Sequence, residues 1–400
     1  MNEALLFGLL FVAAAIGWWF GSRGRPVSDA LSPSPPSQYY RGLNYILDGH
    51  SDGAVDAFVS ALEVNSETVE THIALGNLLR KRGEVDRAIR IHQNLLARPS
   101  LPRPLVYRAH LELARDYISA GLFDRAERLL LDLQQESPEH LRICQHYLLE
   151  IYQSEREWGQ AIDVASQLLP RKQRRQSDTE GPNGQAVVVV LAHYCCEMAA
   201  EHQQAGELAE AGRLLRRALQ YDGDCVRASI MQGEIETAAA HYPQAIKALR
   251  RVQQQDADFV VETITLLHQC YGETDDRRAL CDYLQACLDA RPSAPLVLAI
   301  VDNYLESGDA AAASEFLSQQ LALRPSLRGL ARMISLQMDQ TEGAVRENLG
   351  LLQELVDRLI AERPAYRCGA CGFAGRHLHW HCPGCKRWGT IKAVHENPVD

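Results

Sequence analysis

The chain begins with its least polar stretch. Ala4 to Phe20 is a run of 17 residues without a charged side chain, and as a helix such a run spans about 25 Å, near the lower limit for crossing a bilayer. Trp18 and Trp19 close it, where an aromatic belt belongs. A cleaved signal peptide needs a basic start, yet the first three residues offer only Glu3, and no obvious small-x-small cleavage site follows. Residues 1–22 are therefore read as an uncleaved transmembrane anchor. Arg23 and Arg25 follow the run and no Lys or Arg precedes it, so the positive-inside rule places everything after it in the cytoplasm. Ala13, Gly17 and Gly21 are spaced by four and form a stripe that a second membrane helix can approach closely, although short apolar runs are often rich in Ala and Gly. Residues 23–38 hold four prolines and read as a solvated linker.

From residue 39 the apolar positions follow a helical period, with a longer period laid over it. A small residue preceded by a turn and followed by apolar residues recurs at Ala54, Ala88, Ala126, Ala161, Ala211, Ala245, Ala279 and Ala313, at intervals of 34, 38, 35, 50, 34, 34 and 34. Gly42 and Gly76 fall 12 before their alanines, and Gly49, Gly83, Gly121, Gly206 and Gly308 fall five before. Phe58, Leu130, Leu215, Leu249 and Leu317 fall four after, and Pro138 and Pro325 fall 12 after. These spacings resemble tetratricopeptide repeats, whose period is about 34 residues. The resemblance implies an all-α tetratricopeptide-repeat superhelix of about eight to nine hairpins over residues 39–362, because a hairpin cannot bury its apolar face alone. The 50-residue interval holds an insertion, residues 171–185, which is polar, opens with basic residues and reads as an exposed basic loop.

Chemistry is sparse along the repeats. There is no glycine-rich phosphate loop, no nucleophile elbow and no HExxH, so an enzyme is not expected. His92, His110, His146, His193 and His241 sit within the expected repeat helices and read as structural, as do Cys195 and Cys196 in the core. The net charge of −10 disfavours nucleic acid as a partner. The 11 cysteines are an odd number in a long chain, which argues for reduced cytosolic thiols rather than a disulfide scaffold.

Residues 363–400 are different. Cys368-Gly-Ala-Cys371 is followed, after ten residues, by Cys382-Pro-Gly-Cys385. Two CxxC turns, each aiming two thiolates inward, make a tetrahedral four-sulfur site for one ion, iron or zinc, between which spacing does not discriminate. Trp380, Trp388 and Phe373 are expected to cover the ion, and His377, His379 and His381 to lie on a short strand rather than to ligate. The pair resembles a rubredoxin-type or zinc-ribbon knuckle, with Lys386 where rubredoxins usually place Gly. An electron-transfer role is a minor alternative, distinguishable by the red colour of an oxidised iron site.

Anchor, repeats and knuckle in this order resemble the lipopolysaccharide assembly protein B family (LapB, or YciM). Leu75-Gly76-Asn77-Leu78, the stretch Arg82 to Gln93, Tyr366-Arg367-Cys368, Trp380-His381-Cys382-Pro383 and Thr390-Ile391-Lys392 carry the likeness. The resemblance implies a regulatory adaptor, single-pass in the bacterial inner membrane with its N-terminus periplasmic. It implies that the adaptor presents the lipid A pathway deacetylase LpxC to the protease FtsH, and that a membrane-embedded anti-adaptor meets the anchor near Ala13, Gly17 and Gly21. It further implies contacts with other lipopolysaccharide assembly proteins, and it favours iron slightly. A scaffold for lipopolysaccharide synthesis or transport proteins, without a proteolytic role, is the other reading. The oligomeric state stays open.

Overall fold

The computed structural model describes residues 18–19, 44–45, 69–98, 101–169 and 181–394. The stripe Ala13, Gly17 and Gly21, the linker and the first repeat alanine, Ala54, lie outside them, as does the expected anchor apart from Trp18 and Trp19. Among the described residues no helix is long and apolar enough to cross a membrane.

The chain divides into two compact units, Met1–Ser137 and Pro138–Asp400. The first carries α1 (Val69–Lys81), α2 (Val85–Leu96), α3 (Arg103–Ser119) and α4 (Phe123–Glu136). The second carries α5 (Leu141–Glu155), α6 (Trp158–Leu168), α7 (Val187–Gln204), α8 (Leu208–Tyr221), α9 (Val226–Ala238) and α10 (Tyr242–Gln255). It continues with α11 (Ile264–Glu273), α12 (Arg277–Ala290), α13 (Ala294–Glu306), α14 (Ala310–Leu323), α15 (Leu327–Asp339) and α16 (Ala344–Glu362). A three-stranded antiparallel sheet closes it, with β1 (Tyr366–Cys368) between β2 (Ala374–Gly375) and β3 (Ile391–Ala393).

The helices pair as the sequence period demands. In six hairpins the second helix starts three residues before the small residue, and Ala88, Ala126, Ala161, Ala211, Ala245 and Ala313 are all fully buried. Leu130, Leu215, Leu249 and Leu317, one turn on, are fully buried too, and truncating any of them costs about 2–5 kcal/mol. The residue five before the small one takes the left-handed conformation that ends the first helix. It is glycine at 83, 121, 206 and 308, but Arg156 and Ala240 hold the same place with φ of 62° and 59°.

One repeat is out of the expected register. The turn residue there is Asp275, α12 starts at Arg277, and the buried position falls on Leu280 while Ala279 is only half-buried. Asp276 explains the shift, since its carboxylate accepts the Ala279 N–H and fixes where the helix begins.

In the first unit, Gly76 admits a histidine. A Cβ at this position would lie 2.5 Å from the His92 ring. His92 is fully buried, its Nδ1 2.5 Å from Asp116 Oδ2, and Arg80 bridges Asp116 Oδ1 (2.6 Å) and Glu112 Oε2 (2.8 Å). Burial alone would raise Glu112, but hydrogen bonds and charge from Arg80 and Arg115 bring its carboxyl below the usual range. His92 is thus structural, as expected. His241 departs from expectation. It lies in the turn before α10, exposed, and pairs with Glu236 at 2.9 Å. All 11 cysteines are free thiols.

Candidate metal centre

The ribbon is built from two matching turns. Cys368 ends β1, and the Gly372 N–H donates to its carbonyl at 3.0 Å. In the second turn the Lys386 N–H donates to the Cys382 carbonyl at 2.9 Å. Both closing residues are left-handed, Gly372 at φ 77° and Lys386 at φ 59°. Lys386 therefore keeps the rubredoxin-like turn geometry without the usual glycine. Gly384 leaves room for the sulfurs, because a Cβ there would lie 3.2 Å from Cys371 Sγ.

The turns bring the four thiols together. Cys368 Sγ lies 3.8 Å from Cys385 Sγ, Cys371 Sγ lies 3.6 Å from Cys382 Sγ, and all four fall within 4.8 Å of one another. Tetrahedral bonds of about 2.3 Å to sulfur give sulfur–sulfur edges of about 3.8 Å, so the cluster fits one four-coordinate ion. Burial opposes ionisation at Cys368, but the Thr390 hydroxyl (3.3 Å) and the backbone N–H groups of Cys371 and Ala370 favour its thiolate and bring it down to about 6. Cys382 is pushed up to about 12, first by burial and then by hydrogen bonds with Cys368 and Cys371. The opposite shifts belong to one cluster sharing protons, which a bound cation replaces. Among the described residues no histidine joins the cluster.

The aromatic cover differs from expectation. Cys368, Cys382 and Ile391 form a small core with Tyr366, Phe373 and Leu378, so Phe373 is near the sulfurs as expected. Trp380 and Trp388 instead face the repeats. A buried indole needs an acceptor for its N–H, and Trp388 finds one on the repeats. Trp388 Nε1 donates to Gln153 Oε1 on α5 at 3.1 Å, and the Tyr194 hydroxyl on α7 donates to the same oxygen at 3.0 Å. Gln153 Nε2 lies 3.1 Å from His381 Nε2. Trp388 stacks on His193 of α7 with centroids 5.1 Å apart. Burial first, then the positive charges of Arg227 and His381, pull His193 down to about 3, so the stacked ring is neutral. Gly389 permits the approach, since a Cβ there would lie 3.2 Å from His193 Nε2.

Trp380 makes a second contact. It stacks on Phe259 at 5.4 Å, with the Arg227 guanidinium 5.9 Å from the centroid of its ring, and joins Leu378 against Val226, Ile230 and Val252. Polar latches flank it. Lys392 Nζ meets Asp256 (2.6 Å) and Asp258 (3.0 Å), and the Tyr366 hydroxyl donates to Glu262 at 3.0 Å.

The insertion also takes part. Residues 171–180 lie outside the described ones, but its end, 181–185, is not a free loop. Gln185 Nε2 donates to the Trp388 carbonyl (2.8 Å) and accepts the Trp388 N–H (2.6 Å). Asn183 donates to the Lys386 carbonyl (3.1 Å), and Arg387 Nε donates to the Asn183 carbonyl (2.9 Å). The histidine segment is likewise no regular strand. His377 and His379 are exposed, whereas His381 bridges to Trp388 and is half-buried in the dock. Gln153, Asn183, Gln185, Arg227, Phe259 and Glu262 carry no sequence motif. The turn-rich Gly181-Pro182-Asn183-Gly184 segment is the nearest signal in the sequence, and turn residues of this kind point to surface.

Residues 366–393 match the rubredoxin metal binding domain family, and residues 71–103 match the tetratricopeptide repeat. The chain is 36% identical over 392 residues to lipopolysaccharide assembly protein B of Escherichia coli K12, covering 98% of each. It is 34% identical over 401 aligned positions to the protein of that name from Haemophilus influenzae, again covering 98% of each. A solved structure of Naa15/Naa10 bound to HypK-THB aligns with 81% of this chain and 46% of its own, at 14% identity and a TM-score of 0.42. Full-length likeness at this identity, with the four-thiol ribbon in place, settles the family: the chain belongs to the lipopolysaccharide assembly protein B family.

Proposed function

We propose that this chain is a non-enzymatic adaptor at the bacterial inner membrane that restrains lipopolysaccharide synthesis by presenting the deacetylase LpxC to the protease FtsH. Family membership over 98% of the chain is the observation that carries the reading. The repeats supply surface for protein partners, and Cys368, Cys371, Cys382 and Cys385 hold one iron or zinc ion that keeps the ribbon folded. Residues 1–22 anchor the chain, with Ala13, Gly17 and Gly21 facing a membrane-embedded anti-adaptor. The anchor makes a weak partner contact productive by raising its effective concentration near the protease.

The test is the decay of LpxC after translation is blocked. Slower decay on depletion of this chain supports the adaptor. Unchanged decay removes the proteolytic role. That the relatives are assembly proteins favours the second reading, a scaffold for lipopolysaccharide assembly proteins, which predicts co-purification of biosynthetic enzymes without a protease.

A further inference from the structure

Six of the seven cysteines outside the ribbon are buried. Two of them meet across helices. Cys196 on α7 is fully buried, Cys225 immediately precedes α9 and is 3% exposed, and their sulfurs lie 3.9 Å apart. A helix turns about 100° per residue, so Cys195 cannot share the direction of Cys196. Cys196 is the member of that pair in hydrogen-bond contact with Cys225. The pair also sits among the residues that hold the ribbon. His193 lies three residues before Cys196 and stacks on Trp388, while Val226 and Arg227 follow Cys225 and meet Trp380.

We propose that Cys196 and Cys225 are a reversible dithiol–disulfide site, oxidised by peroxide, that staples α7 to the start of α9 on the face carrying the ribbon. Closing the bond requires the sulfurs to approach by about 1.9 Å, from 3.9 Å to the usual 2.05 Å. Cys225, 3% exposed where Cys196 is fully buried, is the attacking sulfur. The hydrogen bond from Cys196 holds its thiol below the usual range, while burial holds Cys196 well above it.

The step balances. The Cys225 thiolate attacks one peroxide oxygen, the O–O bond breaks, and water leaves after taking a proton, giving a sulfenic acid. The Cys196 sulfur then attacks the Cys225 sulfur, the S–O bond breaks, and a second water carries away the remaining proton. Two thiols are oxidised to one disulfide, and one hydrogen peroxide is reduced to two waters. A thiol reductant reverses it by exchange.

The experiment uses the full chain with its metal bound. It is treated with hydrogen peroxide, its remaining thiols are alkylated under denaturing conditions, and its peptides are mapped by fragmentation mass spectrometry. A peptide pair linked through Cys196 and Cys225, lighter by two hydrogens and lost on reduction, is expected. The oxidised chain should also unfold several degrees higher than the reduced chain, a shift that Cys225→Ser abolishes. Should Cys225→Ser not fold, the wild-type peptide map decides alone. Complete alkylation of Cys225 after peroxide treatment, or a linkage through Cys195, overturns the proposal.

Discussion

Lys386 is a cation held in a glycine conformation. Its φ of 59° costs a side-chain-bearing residue about 1–2 kcal/mol, yet its N–H and carbonyl both serve the second turn and the dock. Lys386→Gly keeps those backbone bonds and relieves the strain. The variant should gain about 1 kcal/mol against denaturant and retain its metal, and equal or lower stability would contradict this account of the turn. His193 works in the opposite sense. Its folded value, about 3, lies below the ordinary 6.5. As pH falls the unfolded chain binds the proton first. The contribution of neutral His193 is therefore complete above about pH 6.5 and declines from there towards pH 3, by up to about 1.4 kcal/mol per pH unit. Denaturation of wild type and His193→Phe at successive pH values checks it. The variant keeps a ring against Trp388 and should show a shallower fall, and identical slopes would remove His193 from the explanation.

At the scale of elements, two separable arrangements are at work, the four-thiol cluster that gathers the ribbon on itself and the dock through Gln153 that fixes it to the helices. Cys371→Ser or Cys382→Ser should release the metal and unfold residues 366–393 while the repeat helicity in circular dichroism survives; unchanged metal content in both would exclude them as ligands. Gln153→Leu should do the reverse. It strands the Trp388 and Tyr194 donors, at about 1–3 kcal/mol each. Metal content should stay normal while protease cleavage between α16 and β1 becomes faster, and wild-type cleavage would show that Gln153 does not hold the dock. The hairpins themselves were legible because turns and small residues repeat at fixed offsets. The slip from Ala279 to Leu280 was not, since an alanine followed by apolar residues fits either register and only the Asp276 cap decides. The four thiols were legible because both halves of each knuckle are local. The dock was hidden because residues 153, 193, 227 and 259 are ordinary side chains far from the ribbon in sequence, and the tryptophans that seek them fit equally well over a metal.

For the whole molecule, the family relationship joins a repeat array to a four-thiol ribbon, and the structure makes Pro138–Asp400 a single unit containing both the ribbon and the helices that bind it. On the proposed reading, loss of the metal is expected to cost the adaptor its function, because the ribbon packs on the repeat helices. The decay of LpxC, followed after translation is stopped in cells carrying wild type, no chain, or Cys382→Ser at equal abundance, tests this most directly. The account predicts rapid decay with wild type and equally slow decay in the other two. Rapid decay with Cys382→Ser, or the same decay in all three, would contradict it.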